Sequence, residues 1–237
     1  MGGHAAGEVA SALAVDVIRR VYFDLDAEVA DALASAFAAA NRVIYEYAAA
    51  NPGCSGMGTT ATALAFFGDR VWLAHVGDSR AYLLRKGSLT QLSTDQTLAA
   101  KLVRDGVLGQ EEADGSPVHN VLLQALGTGP QIEPELWNKG MPLLPEDVLI
   151  LCSDGLSNMV PAADIAAIAA AHLPREGCEA LIQAAIAAGG HDNVSVGVFR
   201  VAEGAAEGIP AGRTTRRLAI PSGLDQSTGA PAAHRIE

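Results

Sequence analysis

The sequence predicts a mixed α+β domain whose strands pair antiparallel. Three observations predict it. Apolar residues recur at helical spacing over the first fifty residues, short strands with tight turns replace them after residue 56, and strand and helix patterns return after residue 147. The chain has 237 residues, 49 % of them hydrophobic and only 5 % aromatic, so its core is built from Ala, Val, Leu and Ile. At that length one core buries enough surface to need neither disulfides nor a structural zinc.

Taken in order, Val9, Leu13, Val17 and Val21 predict a helix from Glu8 to about Tyr22. A second helix runs from about Ala27 to Ala50, with Val29, Leu33, Phe37, Ile44 and Tyr47 on one side. Asn51-Pro52-Gly53 ends it, because proline cannot donate and restricts the residue before it. Thr59 to Phe67 reads as a strand, Gly68-Asp69 as its turn, and Arg70 to Val76 as the returning strand. Arg80 to Arg85 is a third strand, and a fourth begins at Leu89 after Lys86-Gly87-Ser88. Such strands predict an antiparallel meander. A helix at Leu98–Asp105, a polar loop from Gly109 to Pro117 and an apolar strand at Asp147–Cys152 follow. Helices at Ala162–His172 and Cys178–Ala188 and a strand at Val194–Val201 complete a domain spanning 1–203. Residues 204–237 turn to Gly, Pro, Ser, Thr and Arg without periodicity and read as a disordered tail.

The composition excludes several classes of function. Asp and Glu outnumber Lys and Arg by 27 to 16, the wrong balance for a nucleic-acid surface and a suitable one for binding cations. Cys54, Cys152 and Cys178 show no C-x-x-C spacing, so neither a zinc ribbon nor a disulfide framework is indicated. No apolar run reaches the roughly 20 residues of a membrane span, and the start lacks a signal-peptide profile; a cytoplasmic protein is expected. Gly56-Met57-Gly58-Thr59-Thr60-Ala61 follows a helix and opens a strand, the reverse of the order a dinucleotide loop requires. His75, inside a strand, reads as a packed or hydrogen-bonded core residue, and His119, His172 and His234 receive no role.

One pattern recurs. An apolar strand ends beside an aspartate flanked by glycine or a small polar residue: Val76-Gly77-Asp78-Ser79-Arg80, then Leu151-Cys152-Ser153-Asp154-Gly155. Asp192, in Gly190-His191-Asp192-Asn193-Val194, precedes the last strand. Each alone also reads as an ordinary turn or helix start. Together they place carboxylates at strand ends, where hard divalent cations such as Mg2+ and Mn2+ find oxygen ligands.

With these pieces in order, the chain resembles the metal-dependent protein serine/threonine phosphatases of the PPM (PP2C-like) family, in their bacterial form. The matching segments are Met1-Gly2-Gly3-His4 with Gly7-Glu8-Val9, Gly56-Met57-Gly58-Thr59-Thr60, Val76-Gly77-Asp78-Ser79-Arg80-Ala81-Tyr82, Asn120-Val121-Leu122 with Ala125-Leu126-Gly127, Cys152-Ser153-Asp154-Gly155-Leu156 and Asp192-Asn193-Val194-Ser195. The resemblance covers about residues 1–200. It implies an α-β-β-α sandwich of two mainly antiparallel sheets flanked by helices. It further implies a Mn2+ or Mg2+ centre of two ions, with a third held more weakly. The implied reaction is hydrolysis of phosphoserine and phosphothreonine by a metal-activated water, without a phosphoenzyme. By this resemblance Asp154 and Asp192 match carboxylates of the paired site and Asp78 the aspartate of the additional ion. His4 falls beside the centre, as a candidate proton donor or equally a hydrogen-bonded structural residue. The implied partners are phosphorylated Ser/Thr proteins, among them a cognate Ser/Thr kinase whose signal the enzyme reverses.

One departure stands out. The family reads Asp-Gly-Met-Gly-Gly at this point, the aspartate bridging both metals, and Met1 here matches that methionine. The expectation is therefore an N-terminally truncated phosphatase domain without the first strands, with little activity unless the upstream segment is restored. The alternative expectation is a non-catalytic phosphoprotein-binding or scaffold module.

Overall fold

Small side chains at helical spacing let the first two helices pack closely. In the computed structural model, which describes residues 6–202, α1 (Ala6–Asp24) buries Ala10, Ala14 and Val17. They share a cluster with Val29, Leu33, Phe37, Ala40 and Ile44 of α2 (Val29–Ala50). Asn51 ends α2 as its backbone and side-chain amides both donate to the Tyr47 carbonyl, at 3.0 and 2.8 Å. His4 and the expected tail at 204–237 lie outside the described residues.

β1 (Ala61–Phe67) and β2 (Arg70–Val76) form a hairpin in register from Ala61 opposite Val76 to Phe67 opposite Arg70. β3 (Arg80–Arg85) and β4 (Ser88–Gln91) form a second hairpin. Next come α3 (Leu98–Arg104), α4 (Gln110–Asp114) and two short strands, β5 (Glu135–Leu136) and β6 (Met141–Pro142), both paired with β2. β7 (Val148–Cys152), α5 (Asp154–Ser157), α6 (Ala162–Ala171), α7 (Pro174–Ala187) and β8 (Val196–Arg200) complete the described fold.

The strands divide into two antiparallel sheets, β1-β2-β5 with β6 also on β2, and β4-β3-β7-β8. Side chains alternate across each. Ala65, Ala74 and Val76 face α1 and α2, while Tyr82, Leu84, Ile150 and Val198 pack with Ile165 of α6 and Leu181 of α7. The opposite alternates, Val71 and Leu73 in one sheet and Leu83 and Leu149 in the other, are also buried. Phe66 and Phe199 join the sheets near one margin, their ring centres 5.9 Å apart. Helices thus cover both outer faces of an α-β-β-α sandwich.

Several expectations need correction. The first four strands are not one meander: β2 and β3 belong to different sheets, and Gly77-Asp78-Ser79 carries the chain between them. The polar loop at 109–117 contains α4, where the Glu112 carboxylate accepts the Gly109 N–H at 2.9 Å and closes the first turn. α7 begins at Pro174 rather than Cys178, because proline is well suited to the first helical turn.

Candidate metal centre

The register of the second sheet determines which loops meet. Arg80 of β3 lies opposite Cys152 of β7, and Cys152 lies opposite Val196 of β8. These three form a row across one end of the sheet. The chain just before Arg80, just after Cys152 and just before Val196 therefore leaves at the same end, and those three stretches carry Asp78, Asp154 and Asp192.

Ser153 stitches two of them together. Its hydroxyl donates to the Asn193 carbonyl at 3.2 Å and accepts the Ser195 N–H at 3.0 Å, while its own N–H donates to the Ser195 carbonyl at 3.0 Å. Asp154 opens α5, and the loop bearing Asp192 crosses directly over Gly155. A Cβ at Gly155 would stand 2.4 Å from the Asn193 carbonyl oxygen, so only glycine admits this approach. Asp192 is steadied by its own loop, its Oδ1 accepting the Asn193 N–H at 2.7 Å.

Asp78 is held by the peptide before it. Gly77 has φ +111°, and a Cβ there would meet Thr60 Cγ2 at 2.3 Å. The Gly77 N–H donates to Gln96 Oε1 at 3.0 Å, and the Gln96 N–H returns to the Gly77 carbonyl at 2.8 Å.

The charges at this end are unbalanced. Arg80 follows Asp78 by two residues, but its guanidinium is directed to Asp95: Nη2 meets Oδ2 at 2.6 Å, and Nε lies 3.1 and 3.0 Å from the two oxygens. Burial, then the neighbouring Asp154 and Asp95, push Asp78 up to about 6, with Arg80 only partly opposing. Burial, then Asp192, raise Asp154 above the usual carboxylate range. Among the described residues none of the three aspartates has an ion-pair partner.

The arrangement is open rather than caged. Among the described residues, no three His, Cys, Asp or Glu side chains converge closely enough to hold an ion unaided. That fits a hard cation such as Mg2+, which binds through one or two carboxylates and retains several waters. A softer ion finds no thiolate: burial pushes Cys152, beside Asp154, up to about 12. The donor set therefore suits Mg2+ or Mn2+. His75 is buried and hydrogen-bonded on β2. Sequence reasoning missed Ser153, Gly155 and Gln96, whose roles arise only in three dimensions. It also passed over Asp95, although that residue repeats the signal of an aspartate shortly after a strand.

A family model described as Protein phosphatase 2C matches residues 1–102. The Mycobacterium tuberculosis serine/threonine protein phosphatase PstP is 41 % identical over 208 residues, 86 % of this chain but 39 % of the relative's length. The chain thus spans well under half of that protein. The serine/threonine phosphatase stp of Listeria innocua is 37 % identical over 202 residues, covering 83 % of this chain and 79 % of the relative. Among solved structures, the catalytic domain of PstP in complex with two manganese ions superposes with TM-score 0.75 at 39 % identity, covering 86 % of this chain and 85 % of that one. Among the described residues, no helix is long and apolar enough to cross a membrane.

Proposed function

The chain belongs to the protein phosphatase 2C family, and from that premise we propose that it is a metal-dependent protein serine/threonine phosphatase acting on phosphoserine and phosphothreonine. The observation that carries this reading is the row Arg80–Cys152–Val196, which gathers Asp78, Asp154 and Asp192 at one sheet end, where none of the three has an ion-pair partner among the described residues. The two manganese ions in the mycobacterial catalytic domain support a dinuclear centre. Asp154 and Asp192 would hold the paired ions and Asp78 a third, weaker one. Bound there, Mn2+ or Mg2+ supplies the positive charge that acidifies a water and neutralises phosphoryl oxygens.

The chain's own residues set where that chemistry takes place. Ser153 and Gly155 keep the Asp192 loop against Asp154, and Gln96 holds Gly77, the residue leading into Asp78, by both its N–H and its carbonyl. Arg80, directed to Asp95, leaves the carboxylates free for cations. His4 is the candidate proton donor to the leaving oxygen. The substrates are phosphorylated Ser/Thr proteins in the cytoplasm, including a cognate kinase whose signal the enzyme reverses.

Family members are expected to carry an Asp-Gly pair just before the methionine that Met1 matches, and a carboxylate there would add an anionic ligand to the centre. A carboxylate added at that place should tighten Mn2+ binding and speed turnover by the 237-residue chain. The test compares it with the same chain carrying an upstream segment ending in Asp-Gly, on one phosphothreonine peptide with Mn2+, with melting curves to show that both are folded. Turnover faster by orders of magnitude in the longer chain supports the reading. Equal activity removes the need for the bridging carboxylate. Retention of the peptide without hydrolysis by either chain would make this a binding module instead.

A further inference from the structure

The buried histidine of β2 has a hydrogen-bonding arrangement that restricts its protonation state. His75 is fully buried and lies opposite Thr62 in the β1–β2 register. Its Nδ1 is 2.9 Å from Thr62 Oγ1, and its Nε2 is 3.0 Å from the Gly77 carbonyl and 3.1 Å from the Thr94 carbonyl. Carbonyl oxygens only accept, so Nε2 must carry a proton and donate. The ring thus ties β2 in one sheet to the sheet-switching peptide and to the loop after β4 in the other.

Nδ1 is then the open question. Thr62 has one hydroxyl proton, and its oxygen also lies 3.0 Å from the Ser79 carbonyl, to which it can donate. If Thr62 donates to Ser79, Nδ1 must itself be protonated, giving a buried imidazolium. If the ring is neutral, Thr62 must donate to Nδ1. Burial, the dominant influence, pushes His75 below the usual histidine range despite the opposing pull of Glu135 and Asp95, the acidic groups facing it. The neutral ring is favoured, and Thr62 is directed to it.

The Gly77 carbonyl therefore accepts two hydrogen bonds, from His75 Nε2–H and from the Gln96 N–H at 2.8 Å, while the Gly77 N–H is held by Gln96 Oε1. The peptide leading into Asp78 is thus fixed at its carbonyl, and the peptide before it at its N–H. We propose that His75 is a positioning residue, a neutral Nε2–H imidazole that sets the Gly77–Asp78 peptide and so aims the Asp78 carboxylate at the cation it serves. This rests on the reading of Asp78 as a metal ligand. His75 acts through the Gly77 carbonyl to which it is hydrogen-bonded, not on the cation itself. Groups that orient a ligand from behind typically change metal affinity by about 10- to 100-fold when removed.

The test uses the full chain and needs no turnover. Nitrogen-15 NMR at pH 7 should show His75 with Nε2 protonated and Nδ1 not; an imidazolium or the Nδ1–H tautomer would overturn the proposal. Mg2+ titrations followed on the Asp78 and Ser79 amide resonances supply the second measurement. His75→Leu should raise the half-saturating Mg2+ concentration by about 10-fold, whereas His75→Gln, whose amide can reach the Gly77 carbonyl, should stay within about 3-fold of the parent. An unchanged titration in His75→Leu, alongside a weakened one in Asp78→Asn, rejects the positioning role while leaving the metal centre standing. An unchanged titration in Asp78→Asn instead removes Asp78 from the centre. In that case the Gly77 and Gln96 amide shifts decide, and identical shifts in His75→Leu and the parent reject the role. If the leucine variant fails to fold, the glutamine variant carries the test: a loss of about 10-fold or more in it overturns the proposal.

Discussion

Replacing Gly155 by alanine sets two opposing effects against each other. Gly155 lies inside α5, and on helix propensity alone the exchange should stabilise the turn by up to about 1 kcal/mol. The new methyl group, however, would sit 2.4 Å from the Asn193 carbonyl oxygen and 3.0 Å from the Asn193 carbonyl carbon. Ordinary contact needs about 1 Å more, and the obstructing atoms are backbone, so the loop itself must move. Relieving such a clash costs about 1–3 kcal/mol, which outweighs the propensity gain. The moving loop carries Asp192 away from Asp154, and a displacement of about 1 Å at a reacting centre can cost about 100-fold in rate. Gly155→Ala should therefore melt at or slightly below the parent temperature while its Mn2+ affinity, read by calorimetry, falls at least about 10-fold. Unchanged Mn2+ affinity in a folded variant would show that the loop does not position Asp192, and the account of the site would fail there.

Three other outcomes are expected. Asp154→Asn and Asp192→Asn should each abolish Mn2+-dependent hydrolysis in the Asp-Gly-extended chain while leaving its fold, read by circular dichroism, intact; near-parent turnover of a phosphothreonine peptide by either would exclude that residue from the centre. Asp78 is pushed up to about 6 in the folded chain, so between the ordinary carboxylate range and that value the folded state binds the extra proton and stability falls as pH rises. Metal-free Asp78→Asn should accordingly melt higher than the parent at pH 7, with the difference vanishing near pH 4 and shrinking when Mg2+ is added; a parent that is equally stable at pH 7 would refute the unbalanced-charge argument. Burial raises the Asp147 carboxyl, but Arg85 and the Leu144 N–H outweigh it and hold it below the usual range, so its stabilisation is present at neutral pH and lost as pH falls through the depressed value. Arg85→Met should cost about 2 kcal/mol at pH 7 by stranding that buried carboxylate, and progressively less in acid; a constant loss across pH would point to packing instead.

How much of this was legible in the sequence depends on the range over which each feature is specified. β2 and β3 were readable to the residue, because Gly68-Asp69 and Lys86-Gly87 bound them and their apolar content is local. The separation of β2 from β3 was not, since Gly77-Asp78-Ser79 has the composition of a hairpin turn and the side of β3 away from β4 is taken by β7, more than sixty residues further on. Two-residue strands such as β5 and β6 are too short to show a period. The site divides in the same way. Asp78, Asp154 and Asp192 are visible as aspartates at strand ends, whereas Ser153, Gly155 and His75 act through groups distant in sequence, and a serine, a glycine or a strand histidine carries no local mark of that.

The Arg85–Asp147 pair closes the β3–β7 ladder at the end opposite the aspartates, just beyond Leu84 and Val148. Antiparallel strands can slip by two residues and still present the same faces to the core, because alternation is preserved. Such a slip would leave the apolar clusters almost untouched yet carry Asp154 about 7 Å along the sheet from Asp78. A molecule misaligned in this way could pass a melting curve and a far-ultraviolet spectrum as native while having no centre at all. The buried carboxylate of Asp147 penalises that misalignment, since any other register leaves it facing something other than a guanidinium. Arg85, at the far end of the ladder, thereby acts as a proofreading contact for the aspartates.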